Sequence, residues 1–209
     1  MQNRVDPMGN IIDTVARGLW MGNRGQLHDD TKSIQRPFKL KAWLTCVLEF
    51  RGRKRKIMSP GLYTELFFLD EATAFAAGHR PCFECRRQDH YRFKMYWLKG
   101  NPEYNFTETT SINEVDAILH QERINSKGNK VTYLDNIDNL PAGTFIFFEG
   151  QPYLIAGHRL HHWTPSGYDT VISLPQNEMV PVLTPRSIVN TFSAGYLPQI
   201  ALDKLNVPG

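Results

Sequence analysis

Two cysteines three positions apart are the side chains best suited to chemistry in this 209-residue chain. Cys82 and Cys85 lie in the run Pro81-Cys82-Phe83-Glu84-Cys85-Arg86, which is typical of a turn that leads into a helix. This spacing allows one metal ion to take both sulfurs, as in tetrahedral zinc sites. Neighbouring arginines and the backbone amides of such a turn favour the thiolate forms that a metal requires. The pair therefore predicts a Zn²⁺ knuckle.

A tetrahedral zinc ion needs two further ligands. Our preferred set is Cys46, Cys82, Cys85 and His90, because Cys46 is the third cysteine of the chain and His90 lies about one helical turn beyond Cys85. A lone cysteine in an apolar strand is also commonly plain core packing, so Cys46 has two interpretations.

Two other activities share part of this pattern. A redox dithiol uses the same spacing, but the flanking residues here show no alternation of strands and helices around the pair. Zinc deaminases combine Pro-Cys-x-x-Cys with a ligand two residues before a glutamate. The nearest run here, Cys46-Val47-Leu48-Glu49, has a different spacing.

The run from Phe67 to Arg87 resembles the second half of the Ada-type metal-binding domain of bacterial alkylated-DNA repair proteins. The shared features are an aromatic strand, an acidic cap, an alanine-rich helix and the tail Ala-Gly-His-Arg-Pro-Cys-Phe-Glu-Cys-Arg. The resemblance implies that Cys82 and Cys85 bind zinc in a unit that contacts DNA. That family has two more cysteines upstream, one of which accepts a methyl group. This chain has only Cys46 there, so a structural zinc is implied rather than alkyl transfer. The whole chain also resembles a group of bacterial proteins, but no function follows from that resemblance.

Basic residues are concentrated in the middle of the chain. Residues 36–99 carry 14 Lys/Arg against 6 Asp/Glu, whereas residues 100–209 carry 6 against 11. Such a basic segment is the expected footprint of a protein that binds DNA or RNA. The predicted phosphate contacts are Arg51, Arg53, Lys54, Arg55, Arg86 and Arg87. The acidic C-terminal half leaves open a structural zinc module that binds a protein instead.

Two polar clusters leave an enzyme possible, namely a metal-dependent hydrolase or base-modifying enzyme that acts on nucleic acid or nucleotides. His158, His161 and His162 lie within five residues and can bind a metal or transfer protons. The turn-rich N-terminal arm, residues 1–35, is expected to be ordered but irregular. It supplies the polar side chains Asn3, Arg4, Asp6, Asn23, Arg24 and His28, which can line a pocket.

The elements that position these residues suggest an α+β fold. We predict a basic hairpin over residues 42–58, a strand over 63–69, and a short helix over 72–77 capped by Asp70 and ended by Gly78. A helix over 88–99 follows the knuckle, with Tyr91, Met95 and Leu98 on its buried face.

A composition shift near residues 100–128 divides the chain into two predicted domains. Residues 1–100 form the Ada-like zinc-knuckle basic domain with the N-terminal arm. Residues 101–209 form a helix over 112–124 and a small β-rich, barrel-like domain, with strands over 130–134, 144–148, 151–156 and 170–174 and a last helix over 186–193.

The totals exclude several classes of protein. No run of about 18 apolar residues predicts a membrane span, and the N-terminus lacks the apolar stretch of a secretion signal. Three cysteines, two of them close in sequence, do not match the disulfide pattern of a secreted protein. We therefore expect a reduced, cytoplasmic setting.

Overall fold

The fold is α+β, as the sequence predicts. The computed structural model describes residues 2–53 and 56–202. The strands are β1 (Gln2–Val5), β2 (Ile11–Asp13), β3 (Trp20–Asn23), β4 (Leu44–Cys46), β5 (Leu66–Phe68), β6 (Arg80–Pro81), β7 (Tyr133–Asn136), β8 (Phe145–Phe148), β9 (Gln151–Ala156), β10 (Arg159–Thr164), β11 (Gly167–Ser173) and β12 (Met179–Val182). The α-helices are α1 (Glu71–Ala76), α2 (Arg87–Gly100), α3 (Ile112–Arg123) and α4 (Arg186–Ser193).

The strands of the described residues form two sheets of six. The first sheet has the order β2-β1-β5-β3-β4-β6 and comes from the first half of the chain. The second has the order β11-β10-β9-β8-β12-β7, and every pair in it is antiparallel. Glu149 and Gly150 link β8 to β9 with positive φ at both residues, as a tight hairpin turn requires.

Helix α1 is the packing centre of the molecule. All six of its residues are buried, and its small side chains let three hydrophobic clusters approach it from different sides. Ala72 and Ala76 contact the second sheet, Ala74 contacts the first sheet, and Phe75 packs on α2, α3 and α4. Two of these clusters contain residues from both sides of the predicted boundary at residue 100.

The ends of α1 follow the sequence prediction. The Asp70 carboxylate accepts hydrogen bonds from the amide and hydroxyl of Thr73, at 2.8 and 2.6 Å. Gly78 has φ +85°, and a Cβ on it would lie 2.4 Å from the Arg123 side chain. Glycine is thus required there twice, by backbone conformation and by space.

Three predicted elements are wrong. Among the described residues of the predicted hairpin over 42–58, only Leu44–Cys46 is a strand, and most of those that follow lie in an exposed loop. The N-terminal arm is not irregular, because β1, β2 and β3 lie in it. The buried face of α2 is formed by His90, Phe93 and Trp97.

Two of the three residues that we expected on the buried face of α2 are exposed instead, whereas Leu98 is half-buried and packs on the cluster that contains Phe93 and Trp97. Tyr91 and Met95 are 53% and 54% exposed. Among the described residues, no helix is both long and apolar enough to cross a membrane.

Candidate metal centre

Two of the four predicted zinc ligands, Cys82 and Cys85, lie in a tight turn between β6 and α2. The amide of Arg86 donates to the carbonyl of Cys82 at 3.1 Å, which closes the turn. The amide of Glu84 points at the Cys82 sulfur, 3.4 Å away. An amide directed at sulfur stabilises a thiolate, so the turn is suited to binding a cation.

The third cysteine reaches this turn through the first sheet. Strands β4 and β6 are parallel with Thr45 opposite Pro81, and the Cys82 amide donates to the Thr45 carbonyl at 2.9 Å. The next residue of β4, Cys46, therefore lies beside Cys82.

The sulfurs of Cys46, Cys82 and Cys85 all lie within 4.8 Å of one another. Around one tetrahedral zinc, sulfurs are about 3.8 Å apart, since each Zn–S bond is about 2.3 Å. The three cysteines can thus hold one metal ion after small adjustments.

Hydrogen bonds among the three sulfurs shift the pKa values of these cysteines in opposite directions. Thiol hydrogen bonds from Cys46 and Cys85 lower the pKa of Cys82, whereas the hydrogen bond to Cys82 raises the pKa of Cys46. A metal ion binds the deprotonated form of cysteine. A cation bound at these three sulfurs would therefore replace the protons that they share.

His90, the predicted fourth ligand, is not a member of this group. Its Nδ1 atom lies 3.2 Å from the Pro81 carbonyl and 3.4 Å from Nη1 of Arg80, and its ring packs on Phe83 with centroids 5.2 Å apart. Its role as a ligand stays a prediction.

Two buried ion pairs fix the cysteine turn to the core. Arg80 binds Asp116 of α3 through two bonds, 2.7 and 2.6 Å long. Arg86 binds Glu71 of α1 and Asp89, and it lies 4.0 Å from the Trp20 ring.

The six predicted phosphate contacts divide into three groups. Arg51, Arg53 and Arg87 are exposed, as a phosphate contact requires. Lys54 and Arg55 lie outside the described residues. Arg86 is buried in the ion pair with Glu71, so we do not include it in any proposed nucleic-acid surface.

Exposed aromatic rings lie beside the exposed arginines. The arginines were predicted from the sequence, but the aromatic rings were not. The guanidinium of Arg87 lies 4.8 Å from the Phe83 ring centre and 6.0 Å from that of Tyr91. Phe83 and Tyr91 are about half exposed. The guanidinium groups of Arg51 and Arg53 lie 5.0 and 5.4 Å from the ring of Phe50. The signal in the sequence is the alternation of Phe or Tyr with Arg on both sides of the cysteine pair.

A cavity of about 460 Å³ opens onto all three cysteines. Its polar lining includes Asn23 from the N-terminal arm and Glu65, a buried carboxylate that accepts a hydrogen bond from the Met58 amide at 2.8 Å. Glu65 was also missed. Its only sequence signal is a charge placed immediately before an apolar strand.

The histidine cluster does not converge. His158 is exposed in the turn before β10. His161 is buried, with its Nε2 atom 3.2 Å from the Ala156 carbonyl, and His162 pairs with Asp169 at 2.7 Å. Because their surroundings and partners differ, the three histidine rings do not form one site.

No protein-family model, curated protein or solved structure matches the chain. Its function is therefore inferred from the geometry of the site.

Proposed function

We propose that this protein binds nucleic acid, DNA or RNA, through a surface that a zinc ion on Cys46, Cys82 and Cys85 holds in shape. A role in DNA repair or modification is the extension that the Ada-type resemblance supports. The observation that carries the proposal is the position of Phe83. This residue lies between two cysteines of the candidate metal centre and presents a half-exposed ring beneath an exposed arginine.

Phe83, Arg87 and Tyr91 form what we call the stacking patch. The two rings and the guanidinium group are planar, partly exposed and close together. The ring centroids of Phe83 and Tyr91 are 5.9 Å apart. Unpaired bases stack on such groups in proteins that bind single strands, while arginine also attracts the phosphate backbone. The chemistry of the patch therefore favours a single strand over a duplex.

The loop over residues 47–53 extends this surface. Arg53 forms an exposed ion pair with Glu84 at 2.7 Å, which joins the loop to the cysteine turn. Phe50, with Arg51 and Arg53 around it, thus provides a second aromatic and basic group at the cavity that the cysteines line.

Replacement of Phe83 by Ala is expected to weaken binding of a labelled 20-nucleotide single strand about tenfold. A base stacked on an aromatic ring contributes roughly 1–3 kcal/mol. Arg87→Ala is expected to weaken binding and to reduce the slope of log affinity against log salt by about 0.7, one phosphate contact on a single strand. Fluorescence anisotropy at several salt concentrations measures both, with DNA, RNA and duplex probes in parallel.

The matched control is Arg159→Ala, which removes an exposed arginine from the second sheet. It lowers net charge as Arg87→Ala does, and we expect it to leave affinity within twofold. Equal losses of affinity in Arg87→Ala and Arg159→Ala would mean that the loss reflects only the change in overall charge. Absence of binding to every probe at low salt would refute the proposal.

A second candidate function is a metal-dependent enzyme, and the cavity at the cysteines favours it. Three protein ligands leave a fourth position for a water molecule or substrate, as catalytic zinc sites do. The cavity is within the range of small-ligand sites, and the buried Glu65 supplies a carboxylate in it.

Cobalt substitution tests whether the fourth position is open. If it is, azide is expected to change the visible absorption of the Co²⁺ protein, and Glu65→Gln is expected to keep the metal while altering azide affinity. If His90 closes the site, azide has no effect until His90 is replaced by Ala. That second result would contradict the enzyme and support a structural metal.

A further inference from the structure

A second cavity, of about 420 Å³, shares no lining residue with the cavity at the cysteines. Four cationic side chains line it: Arg24, Arg36, Arg123 and Lys130. We call it the basic cavity. Arg36 is exposed at its rim, whereas Arg24 and Arg123 are only 1% and 2% exposed.

Both buried guanidinium groups lie over the indole of Trp43. Arg24 lies 3.8 Å and Arg123 4.0 Å from a ring centre of Trp43. The Arg24 Nε atom donates to Nε2 of His79, whose Nδ1 donates to the Leu44 carbonyl, so His79 is neutral. Fixed positions of this kind preorganise the cations for a ligand.

Backbone carbonyls, rather than carboxylates, satisfy most of these donors. Arg123 donates to the carbonyls of Gly78 and Lys41, and Lys130 donates to that of Ala76. The carbonyls of Ala76 and Gly78 lie at the C-terminal end of α1 and carry only partial negative charge. Most donors of these cationic side chains thus have hydrogen-bond acceptors, but the positive charge of the side chains is not neutralised.

No ion pair among the described residues includes Arg24, Arg123 or Lys130. Arg80 and Arg86, by contrast, each have a carboxylate partner. The Arg24 Nη2 atom is buried without any hydrogen-bond partner, as is Nε of Arg123.

Asp6 is the carboxylate that attracts Arg24 and Lys130, and it accepts two hydrogen bonds from Asn10. Asp116 also attracts Arg123, but it is already paired with Arg80, so Asp6 alone cannot balance the three cations. Buried charge without a partner is costly, so an anion is the missing component of the basic cavity.

We propose that the basic cavity binds the phosphate group of a small phosphomonoester, with Arg24, Arg36, Arg123 and Lys130 as its cationic ligands. Guanidinium groups bind phosphate oxygens through paired hydrogen bonds, and a lysine adds a point charge. The volume exceeds the needs of a phosphate ion and leaves room for an attached group of about the size of a sugar.

The charge state of Lys130 gives an independent readout. Desolvation and the nearby Arg24 lower the pKa of Lys130 to about 7. A bound dianion favours the protonated amine, so binding at pH 8 is expected to take up a proton. Titration calorimetry in two buffers of different ionisation enthalpy measures that uptake directly.

Calorimetry of the full chain with inorganic phosphate and with ribose 5-phosphate tests the proposal, at constant ionic strength set with NaCl. We expect a dissociation constant below about 1 mM for each probe, tighter for the sugar phosphate, and none for ribose. Saturating phosphate is expected to raise the melting temperature beyond the effect of equivalent chloride.

Lys130→Met is expected to weaken phosphate binding at least tenfold and to abolish the proton uptake, because a hydrogen bond to a charged group is lost. Arg36→Ala, which changes only an exposed residue and should fold normally, is expected to weaken binding about three- to tenfold. Lys127→Ala, an exposed lysine in the neighbouring turn that does not line the cavity, is the control and should bind as the parent does.

Absence of phosphate binding by the parent protein, or equal affinity in the Arg36→Ala and Lys127→Ala variants, would overturn the proposal. Both outcomes leave the nucleic-acid proposal untouched, because the stacking patch and the basic cavity have no residue in common.

Discussion

Replacement of Cys82 by Ser is expected to release the metal and to lower the free energy of unfolding by about 4 kcal/mol. A metal on these sulfurs joins Cys46 to Cys82 and so closes a loop of 37 residues. Restricting a loop of that length in the unfolded chain stabilises the folded state by about 4 kcal/mol, by analogy with a disulfide. For a chain of this size, the melting temperature would fall by roughly 10 °C.

A chelator provides the control for that variant. Removal of metal from the parent protein should give the same melting temperature as Cys82→Ser, and the chelator should have no effect on the variant. A Cys82→Ser protein that melts with the parent, while the chelator changes neither, would show that the three thiols are merely packed together.

Replacement of Asp116 by Ala is expected to cost about 3–5 kcal/mol, because it leaves the Arg80 guanidinium buried and unpaired. Both side chains of the pair are almost fully buried, at 4% and 3% exposure. Arg80 lies two residues before Cys82, so the pair also fixes the cysteine turn to α3. Chemical denaturation of the metal-loaded protein measures the loss.

Glu84→Ala is the matched control, since it breaks the exposed pair with Arg53. Solvent screens such pairs, and less than about 1 kcal/mol is expected. The double variant Arg80→Met/Asp116→Leu should regain most of the stability lost in Asp116→Ala, because it removes both charges. A loss in Asp116→Ala no larger than that in Glu84→Ala would contradict the role given to this pair.

Local signals in the sequence predicted the elements whose ends depend on near neighbours. The Asp70 cap and Gly78 mark α1 because their effects act within one turn of backbone. The helix over 186–193 and the strand over 151–156 are likewise confirmed at the predicted bounds.

The wrong elements depend on tertiary partners. The returning half of the predicted hairpin has no pairing in the described residues, because β4 pairs with β3 and with β6 instead. Helix α2 carries two apolar stripes, and the packing of α1 and α4 selects the one with Phe93 and Trp97. Spacing along one helix cannot distinguish them.

The candidate site divides in the same way. The spacing of Cys82 and Cys85 is local and could be recognised in the sequence. The approach of Cys46 depends on a parallel register between strands more than 30 residues apart, so its two interpretations could not be separated beforehand. The cavity that brings Glu65 and Asn23 to the sulfurs has the same non-local origin.

The most direct test of a metal held by Cys46, Cys82 and Cys85 is the metal content of the purified protein, by native mass spectrometry of the parent and of Cys46→Ser. We predict one zinc ion per chain in the parent and none in the variant. A parent chain that carries no metal after growth with zinc, or a Cys46→Ser chain that keeps a full equivalent, would contradict the account.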